Sequence, residues 1–458
     1  MNRVKFTEKI GYGFGDMASS MFWKVFSYYL PFFYSNVFGL TLDQVALLLI
    51  VTRVWDAVSD PMMGIIADRT RTRWGKYRPY LLFMAVPFAL CGVLLFTTPD
   101  WGSQAKLVYA YCSYILMMTV YTAINVPYGA MLGVMTDKSS EKTTFSSYRM
   151  FFAYIGSFIV LFLWEPLVEW FSRSMTLQGS WQASMTVVAV ICIILFVLTF
   201  ALTRERICTK ASESVLKDMK SLFRNAPFWI LVCAALCSNL FMTLRGSTVA
   251  YFFKDYIPAG SHLVFGDFSV LFYAGLFLSI GEISNMAGVA CAAPLSVRIG
   301  KKNTFFCSML ILAALSVAFF FVPISPAGFI IMALLQVFIS VFTGIISPLL
   351  WSMYADVADY SEYRYGSAST GLIFSSSSMA QKFGGAFGGA MVMWLLAAFG
   401  YQTAEGSVQT AEALTGLNLL MSIIPACIAL VAMILIRFYP LTPSRMAEIE
   451  SDLKAKRG

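Results

Sequence analysis

Twelve stretches of about 20 or more mostly apolar residues follow one another along the chain, and this pattern limits the fold more than any other feature. A helix of about 20 apolar residues is long enough to cross the hydrocarbon core of a bilayer. Only 13% of the 458 residues are charged, whereas soluble domains carry about 25%. The chain is therefore predicted to be an all-α polytopic membrane protein.

The predicted spans are separated by short polar loops. Their approximate limits are residues 11–38, 42–66, 79–98, 105–136, 144–170, 181–203, 227–254, 268–296, 303–324, 327–355, 367–399 and 410–438. The first apolar run is too long for the core of a signal peptide, so it is retained as a span. An even number of spans places both termini on the same side of the membrane.

Lysine and arginine are distributed unequally between alternate loops. The termini and the loops on their side hold 25 of these residues, and the opposite loops hold 3, namely Lys106, Arg173 and Lys254. Cytoplasmic loops carry the excess of positive charge in membrane proteins. We therefore expect a multi-pass protein of the cell inner membrane with both termini in the cytoplasm. The net charge of +8 belongs to these loops and does not indicate nucleic-acid binding.

The chain repeats itself weakly at a distance of six spans. "DRTRTRWGKYRPY" follows span 2 and "LSVRIGKKNT" follows span 8. "NVPYGAMLGVMTD" ends span 4 and "ISPLLWSMYADVAD" ends span 10, while "SSYRMFFAYIGS" and "SSMAQKFGGAFGG" lie in spans 5 and 11. Parallel repeats of this kind are typical of the two halves of major facilitator transporters, whose substrate site lies near the midplane where the halves meet.

The repeats predict a major facilitator fold, with 12 transmembrane helices in two pseudo-symmetric six-helix bundles. The first bundle covers residues 1–203 and contains the expected cation site. A cytoplasmic linker covers 204–226, the second bundle 227–440 and a cytoplasmic tail 441–458.

Two aspartates lie within the second span. Asp56 and Asp60 are four residues apart, so they share one face of a helix. Carboxylates inside a membrane are costly and mark a functional site by default. Together with the hydroxyl of Ser59 they offer hard oxygen ligands, which suit Na⁺ or a proton. The alternative is that the aspartates cap a helix or pair with Arg53.

A basic loop follows this span, and it has two interpretations. Its five cations fit the positive-inside pattern and contact with lipid headgroups. We also expect a gating role, in which Asp68, Arg73 and the acidic end of span 10 form a cytoplasmic charge network. The acidic residues are Asp356, Asp359 and Glu362.

Enzymatic and metal centres find little support in the sequence. The nine cysteines are scattered without zinc-site spacing, and they are interpreted as packing residues. The single histidine, His262, lies in a predicted outward loop, and no catalytic motif accompanies it. We therefore expect neither an enzyme nor a resident cofactor.

Several motifs together resemble the glycoside–pentoside–hexuronide:cation symporter family, to which melibiose permease belongs. They are "GYGFGD" in span 1, "WDAVSDPMMG" in span 2, "RTRWGKYRPY" after it, "NVPYGAM" in span 4 and "YADVADYSEY" in span 10. The resemblance covers nearly the whole chain and implies coupled transport of a sugar with Na⁺, Li⁺ or H⁺.

The resemblance assigns roles to individual positions. It implies that Asp56 and Asp60 hold the coupling cation, with oxygens from Ser59 and Thr122. It also implies that Arg149 in span 5 and Lys382 in span 11 line the substrate cavity. Lys382 could instead neutralise an empty aspartate pair.

The chain departs from melibiose permease where that protein binds its galactosyl unit. Two aspartates of the relative match Ser20 and Asn125, and its stacking tryptophan matches Gly129. Asp16, one helical turn before Ser20, is expected to take over contacts to sugar hydroxyls. Possible aromatic platforms for a sugar ring, with packing as the alternative role, are Trp23, Tyr28, Tyr121, Tyr128 and Trp351.

These features predict a monomeric symporter that imports a sugar or glycoside by alternating access. Arg149 and Lys382 tilt the expectation towards a hexuronide or other acidic sugar, and a neutral glycoside is the other option. Two further alternatives are a lysolipid-type symporter of the same fold and a sugar sensor that does not transport.

Overall fold

A computed structural model describes residues 5–136, 139–206, 224–265, 268–365, 370–404 and 407–457. The first half of the described chain is helical. Its helices are α1 (Phe6–Phe32), α2 (Leu42–Arg69), α3 (Arg78–Phe83), α4 (Ala85–Leu95), α5 (Ser103–Met135), α6 (Ser139–Ser172) and α7 (Leu177–Leu202), and a π-helical turn, Phe33–Val37, extends α1.

The second half repeats this organisation. Its helices are α8 (Ala226–Tyr251), α9 (Ala274–Ile299), α10 (Lys301–Phe320), α11 (Pro326–Tyr365), α12 (Thr370–Ala398), α13 (Ala411–Met421), α14 (Ile423–Arg437) and α15 (Pro443–Arg457). A π-helical turn, Phe252–Tyr256, extends α8 as the corresponding turn extends α1, six spans earlier. Proline lies inside both α5 and α11, at Pro127 and Pro348.

The chain forms two compact units. The first contains Met1–Ala211 with Ala274–Ser279 and Tyr401–Val408, and the second contains the remainder. The change of unit after Ala211 falls within the predicted linker of 204–226. Most of that linker, 207–223, lies outside the described residues, so its predicted limits stay a prediction.

Eight helices among the described residues are long and apolar enough to cross a membrane by length and composition alone. The other four predicted spans correspond to α1, α2, the divided pair α3 and α4, and α12. Three of these, α1, α2 and α12, carry charged residues of the predicted site, namely Asp16, Asp56, Asp60 and Lys382. Charged side chains lower the hydropathy of a helix, and the four segments stay predicted spans.

One short antiparallel hairpin joins α8 to α9. Strand β1 (His262–Phe265) pairs with β2 (Phe268–Leu271), with His262 opposite Leu271. Span 8 was predicted to begin at 268, but α9 begins at Ala274. The apolar and aromatic residues of β2 resemble a helix start in composition, and alternation over four residues is too short to identify a strand.

Local signals fix the helix that carries the aspartate pair. The side chain of Thr41 accepts a hydrogen bond from the Gln44 backbone N–H, and the Gln44 side chain accepts one from the Thr41 N–H. This capping box sets the start of α2. Helix α2 packs against α5, and α1 packs against α6 and α7. The site residues of the first unit lie on α1, α2, α5 and α6.

Candidate functional site

The two aspartates of α2 lie in different environments. Asp56 is 2% exposed and forms an ion pair with Arg53, whose Nη1 lies 2.9 Å from Asp56 Oδ2. Asp60, one turn further, is half-buried. The pairing with Arg53 was one of the interpretations open from the sequence, and the geometry realises it for Asp56.

A second helix supplies an oxygen to Asp60. Thr122 on α5 donates its hydroxyl hydrogen to Asp60 Oδ1 over 2.8 Å. The Ser59 hydroxyl donates to the carbonyl of Asp56 over 3.4 Å. Three of the four predicted cation residues lie on one helix, and Thr122 joins them from a sequence position 62 residues beyond Asp60.

Arg53 connects Asp56 to the aromatic residues of α1. Its guanidinium carbon lies 5.0 Å from the ring centre of Trp23 and 5.8 Å from that of Phe26. The side chain is 6% exposed. Such cation–π contacts strengthen when the cation is desolvated. Arg53 therefore contacts both a predicted cation ligand and a predicted substrate platform.

The cluster brings two carboxylates and one guanidinium together. Asp56 and Asp60 contribute two negative charges and Arg53 contributes one positive charge. Among the described residues there is no group of three or more His, Cys, Asp or Glu that could hold a metal ion. The donor set of carboxylate and hydroxyl oxygens suits a hard monovalent cation or a proton rather than a transition metal.

Asp16 and Arg149 form the centre of the predicted substrate residues. Arg149 on α6 binds Asp16 on α1 through two contacts, Nε to Oδ2 at 3.0 Å and Nη2 to Oδ1 at 3.3 Å. This pairing was the alternative that the sequence left open for Arg149. The guanidinium also lies 5.3 Å from the ring centre of Tyr128.

Tyr128 packs against the guanidinium of this ion pair. It is 1% exposed, its hydroxyl donates to the carbonyl of Tyr12 over 2.6 Å, and the two rings stack at 4.8 Å. A ring buried in this way has no free face for a sugar. In this conformation Tyr128 packs against Arg149, whereas it was predicted as a candidate platform.

The remaining candidates of the first unit are partly accessible. Trp23 and Tyr121 are half-buried, and their ring centres lie 5.2 Å apart. Asn125 donates to the carbonyl of Tyr121 in its own helix, which leaves its amide oxygen for other contacts. Ser20 is half-buried on α1. Trp23, Tyr121 and Asn125 therefore remain suitable for contacts to a sugar.

In the second unit, Lys382 lies on α12 and Trp351 on α11. Both side chains are half-buried. The Trp351 ring contacts Tyr354 edge-on at 6.2 Å. Their assignment to the substrate stays a prediction.

The predicted gating residues show contacts within their own units. Lys301 binds both carboxylate oxygens of Asp356, at 2.7 and 2.8 Å. Arg73 is exposed and stacks on Trp74 at 4.4 Å. The side chain of Asp68 lies outside the described part of the chain. Asp359 and Glu362 are half-buried on α11, and the charge network predicted for all five residues stays a prediction.

Sequence reasoning missed an acidic group at the end of span 6. The carboxylate of Glu205 accepts hydrogen bonds from three backbone N–H groups of the loop after α2. Arg206 binds both carboxylate oxygens of Glu8, at 2.7 and 2.8 Å. The only sequence signal was a run of three charged residues, "RER", directly after the span, and such residues usually face solvent.

The chain is similar to known proteins over a range that includes all the predicted site residues. A family model described as MFS/sugar transport protein matches residues 11–443. The chain is 37% identical to the putative glycoside/cation symporter YagG of Escherichia coli strain K12, covering 99% of this chain and 96% of that protein. It is 33% identical to the inner membrane symporter YicJ of the same strain, covering 97% and 94%.

A solved structure of the nucleoside transporter NupG matches with a TM-score of 0.68 over 94% of this chain and 99% of that one. The identity is 13%, so this similarity bears on the fold alone. It is the major facilitator fold, whose twelve spans agree with the twelve predicted from the sequence.

Proposed function

Because the chain belongs to the MFS/sugar transport protein family, we propose that it imports a neutral glycoside together with one monovalent cation, Na⁺ or H⁺. The family consists of transporters rather than enzymes. The full-length similarity to YagG and YicJ places the chain among glycoside/cation symporters, which agrees with the resemblance read from its motifs. The coupling ion, its binding site on α2 and a neutral glycoside as substrate are proposed for this chain.

The observation that carries the proposal is the pair of carboxylates on α2. Asp56 and Asp60 lie one helical turn apart, and the Thr122 hydroxyl of a second helix donates to Asp60. Carboxylates inside a membrane are costly and mark a functional site by default. Carboxylate and hydroxyl oxygens are hard ligands, so Asp60 and Thr122, with Asp56 beside them, offer a site for one monovalent cation.

Arg53 offers a physical route for coupling between cation and glycoside. It contacts Asp56 on one side and the ring of Trp23 on the other. A cation that binds the carboxylates weakens the hold of Asp56 on Arg53, and the guanidinium can then reorient against Trp23. Coupling of this kind is reciprocal, so the glycoside must raise the affinity for the cation by the same factor.

The Asp16–Arg149 pair supports a neutral substrate. The carboxylate cancels the charge of the guanidinium, so the pair presents donors and acceptors for hydroxyl groups without a net charge. Trp23, seven residues after Asp16 on α1, and Tyr121 of α5 supply aromatic faces, with ring centres 5.2 Å apart. An acidic sugar is the second candidate, and Lys382 is the observation in its favour.

Uptake into proteoliposomes tests the proposal. A panel of neutral glycosides, uronides and a lysolipid is offered with an inward Na⁺ gradient, with an inward proton gradient, or with neither. We expect one gradient to drive accumulation of a neutral glycoside. Accumulation of uronides alone would favour the acidic-sugar reading, lysolipid uptake would favour the lipid carrier, and binding without uptake of any compound would favour a sensor.

The topology is part of the same proposal. We expect a monomer in the cell inner membrane with both termini in the cytoplasm, since the loops on that side hold 25 lysines and arginines and the others hold 3. A fluorescent reporter that matures only in the cytoplasm, fused after Gly458, should be bright. A dark fusion with intact expression would contradict this orientation.

A further inference from the structure

The loop after α2 wraps around one carboxylate. Glu205 Oε2 accepts a hydrogen bond from the N–H of Lys76 at 2.7 Å, and Oε1 accepts from those of Tyr77 and Arg78 at 2.7 and 2.8 Å. Successive backbone N–H groups that converge in this way form an anion-binding nest. The nest is filled by a side chain from a segment about 130 residues further along the chain.

Arg78 adds a second contact between the same segments. Its Nη2 donates to the carbonyl of Phe200 over 2.6 Å, near the end of α7. The guanidinium also lies 4.7 Å from the Phe200 ring centre. Burial lowers the pKa of Arg78, and the neighbouring charge of Glu205 opposes that shift.

Gly75 makes the close approach of Glu205 possible. Its φ of +116° lies in the region that favours glycine, and an added Cβ would come within 2.7 to 2.8 Å of the Glu205 carboxyl group. A side chain at residue 75 would therefore be strained by the backbone conformation and would also collide with the Glu205 carboxyl group.

The next residue fastens the same segment to two other helices. Arg206 binds Glu8 at the start of α1, and its backbone N–H donates to the carbonyl of Val134 at the end of α5 over 2.8 Å. Its Nη1 also donates to the Met135 carbonyl over 3.3 Å. Residues 205–206 thus contact the ends of α1 and α5 and the loop that follows α2.

We propose that Glu205 is a positioning residue for transport, which fastens the loop after α2 to the first residues of the linker between the two units. Helix α2 carries Asp56 and Asp60. With the fastening intact, a displacement of the linker moves the cytoplasmic end of α2 with it. Without the fastening, the linker can move without α2. The cation site then becomes accessible from the other side of the membrane more slowly.

The second unit has a comparable fastening six spans later, built from different residues. Lys302, in the first turn of α10, donates to the carbonyl of Arg437 at the end of α14 and to that of Tyr439, at 2.8 and 2.7 Å. Gly300, between α9 and α10, has a φ of +81°, and its Cβ position lies 2.9 Å from Pro443, in the segment after span 12. Both units thus connect the loop after their second span to the segment after their sixth, through unrelated side chains. This repetition indicates that the connection, rather than a particular side chain, is required.

The experiment measures transport and ligand binding separately in the Glu205→Gln variant. Glutamine offers one acceptor oxygen and turns an NH₂ group towards a backbone N–H, so the nest loses at least one charge-assisted hydrogen bond. We expect the maximal uptake rate to fall roughly tenfold, while glycoside KM and cation affinity in purified protein stay within about twofold. The Glu169→Gln variant, which alters an exposed carboxylate of α6, should transport like the unaltered protein.

A double-mutant cycle with Gly75→Ala separates positioning from general damage. In the unaltered background the new methyl group displaces Glu205. In the Glu205→Ala background it meets no carboxylate and only the strain of the positive φ remains, so its further effect on uptake rate should be smaller. Additive effects, or a loss of ligand affinity that parallels the loss of rate, would overturn the proposal. A failure of cation coupling in the unaltered protein would bear on the proposed function and leave this cycle interpretable.

Discussion

Arg53 adds a positive charge to the predicted cation site of α2, where it pairs with Asp56. A guanidinium keeps its proton at any pH that a cell meets. Arg53 therefore stays positively charged whether or not it contacts Asp56. The sequence placed Arg53 one helical turn before Asp56, at a spacing that allows contact. What the sequence could not decide is whether Arg53 turns to Asp56 or elsewhere, because that choice depends on Trp23 and Phe26 from another helix.

The first prediction concerns the Arg53→Gln variant. Removing one partner of a buried ion pair leaves the other charge uncompensated and costs about 3–5 kcal/mol. We expect a lower free energy of unfolding, measured by thermal or denaturant titration of the purified protein. Arg173→Gln is the matched control, since Arg173 forms an exposed pair with Glu169 and such pairs contribute about 0–1 kcal/mol. Equal stability of both variants would contradict the buried pairing.

The second prediction concerns Thr122→Val, which removes one hydroxyl and keeps the shape of the side chain. The lost hydrogen bond to Asp60 is one to a charged group, and these contribute about 1.5–3 kcal/mol. We expect the apparent affinity for the coupling cation to fall roughly tenfold in a cation titration of uptake.

Thr186→Val serves as the control for Thr122→Val, because the Thr186 hydroxyl bonds the carbonyl of Gln182 in its own helix and is exposed. A cation affinity of Thr122→Val equal to that of the control would show that Thr122 does not act on the ion.

At the scale of single elements, the polar spans were harder to describe than the apolar ones. Charged residues in α2 predicted a cation site directly, since intramembrane carboxylates have few structural roles. The same polarity blurs the limits of the span: α2 continues to Arg69, beyond the predicted end at 66. The strands β1 and β2 were missed, because four-residue strands carry too little alternation to be recognised.

Glycines set the distance between two helices of the second unit. The position of a Cβ on Gly288 of α9 would collide with the carbonyl of Val341, and one on Gly344 of α11 would collide with the backbone of Asn285. Small residues let helix backbones approach closely in membranes. Their role could not be assigned from one sequence, because it depends on which helix lies opposite.

The third prediction follows from this contact. Gly288→Ala should destabilise the protein by about 1–3 kcal/mol, because the methyl group meets backbone atoms that cannot turn away. Gly129→Ala is the control, since nothing lies within 4 Å of its Cβ position, and alanine is favoured over glycine in a helix by up to about 1 kcal/mol. Thermal unfolding of both purified variants measures the difference, and a stable Gly288→Ala protein would refute the contact.

At the scale of the whole molecule, the repeat was the most informative signal. Three pairs of segments six spans apart predicted two bundles, and the π-helical ends of α1 and α8 and the prolines of α5 and α11 repeat at the same distance. The fold is therefore readable from the sequence. Contacts between distant segments are not, and the pair Glu8–Arg206, 198 residues apart, was invisible because nothing local distinguishes it from two exposed charges.

The candidate site likewise contains residues that the sequence alone identifies and contacts that depend on packing. Asp56, Asp60 and Arg149 stand out as charges within apolar runs. Thr122 entered only through the resemblance to a family, because one hydroxyl in a span is common. The neutralisation of Arg149 by Asp16 required the packing of α1 against α6, and it moves the expected substrate from an acidic sugar to a neutral glycoside.

The most direct test of the central claim is gradient-driven glycoside accumulation by the Asp56→Asn/Asp60→Asn double variant in proteoliposomes. Asparagine keeps the size of both side chains and removes the negative charges that attract the coupling ion. We predict that the unaltered protein concentrates glycoside above the external level, while the double variant only lets it equilibrate. Accumulation by the double variant to the level of the unaltered protein would contradict the claim that these two carboxylates bind the driving cation.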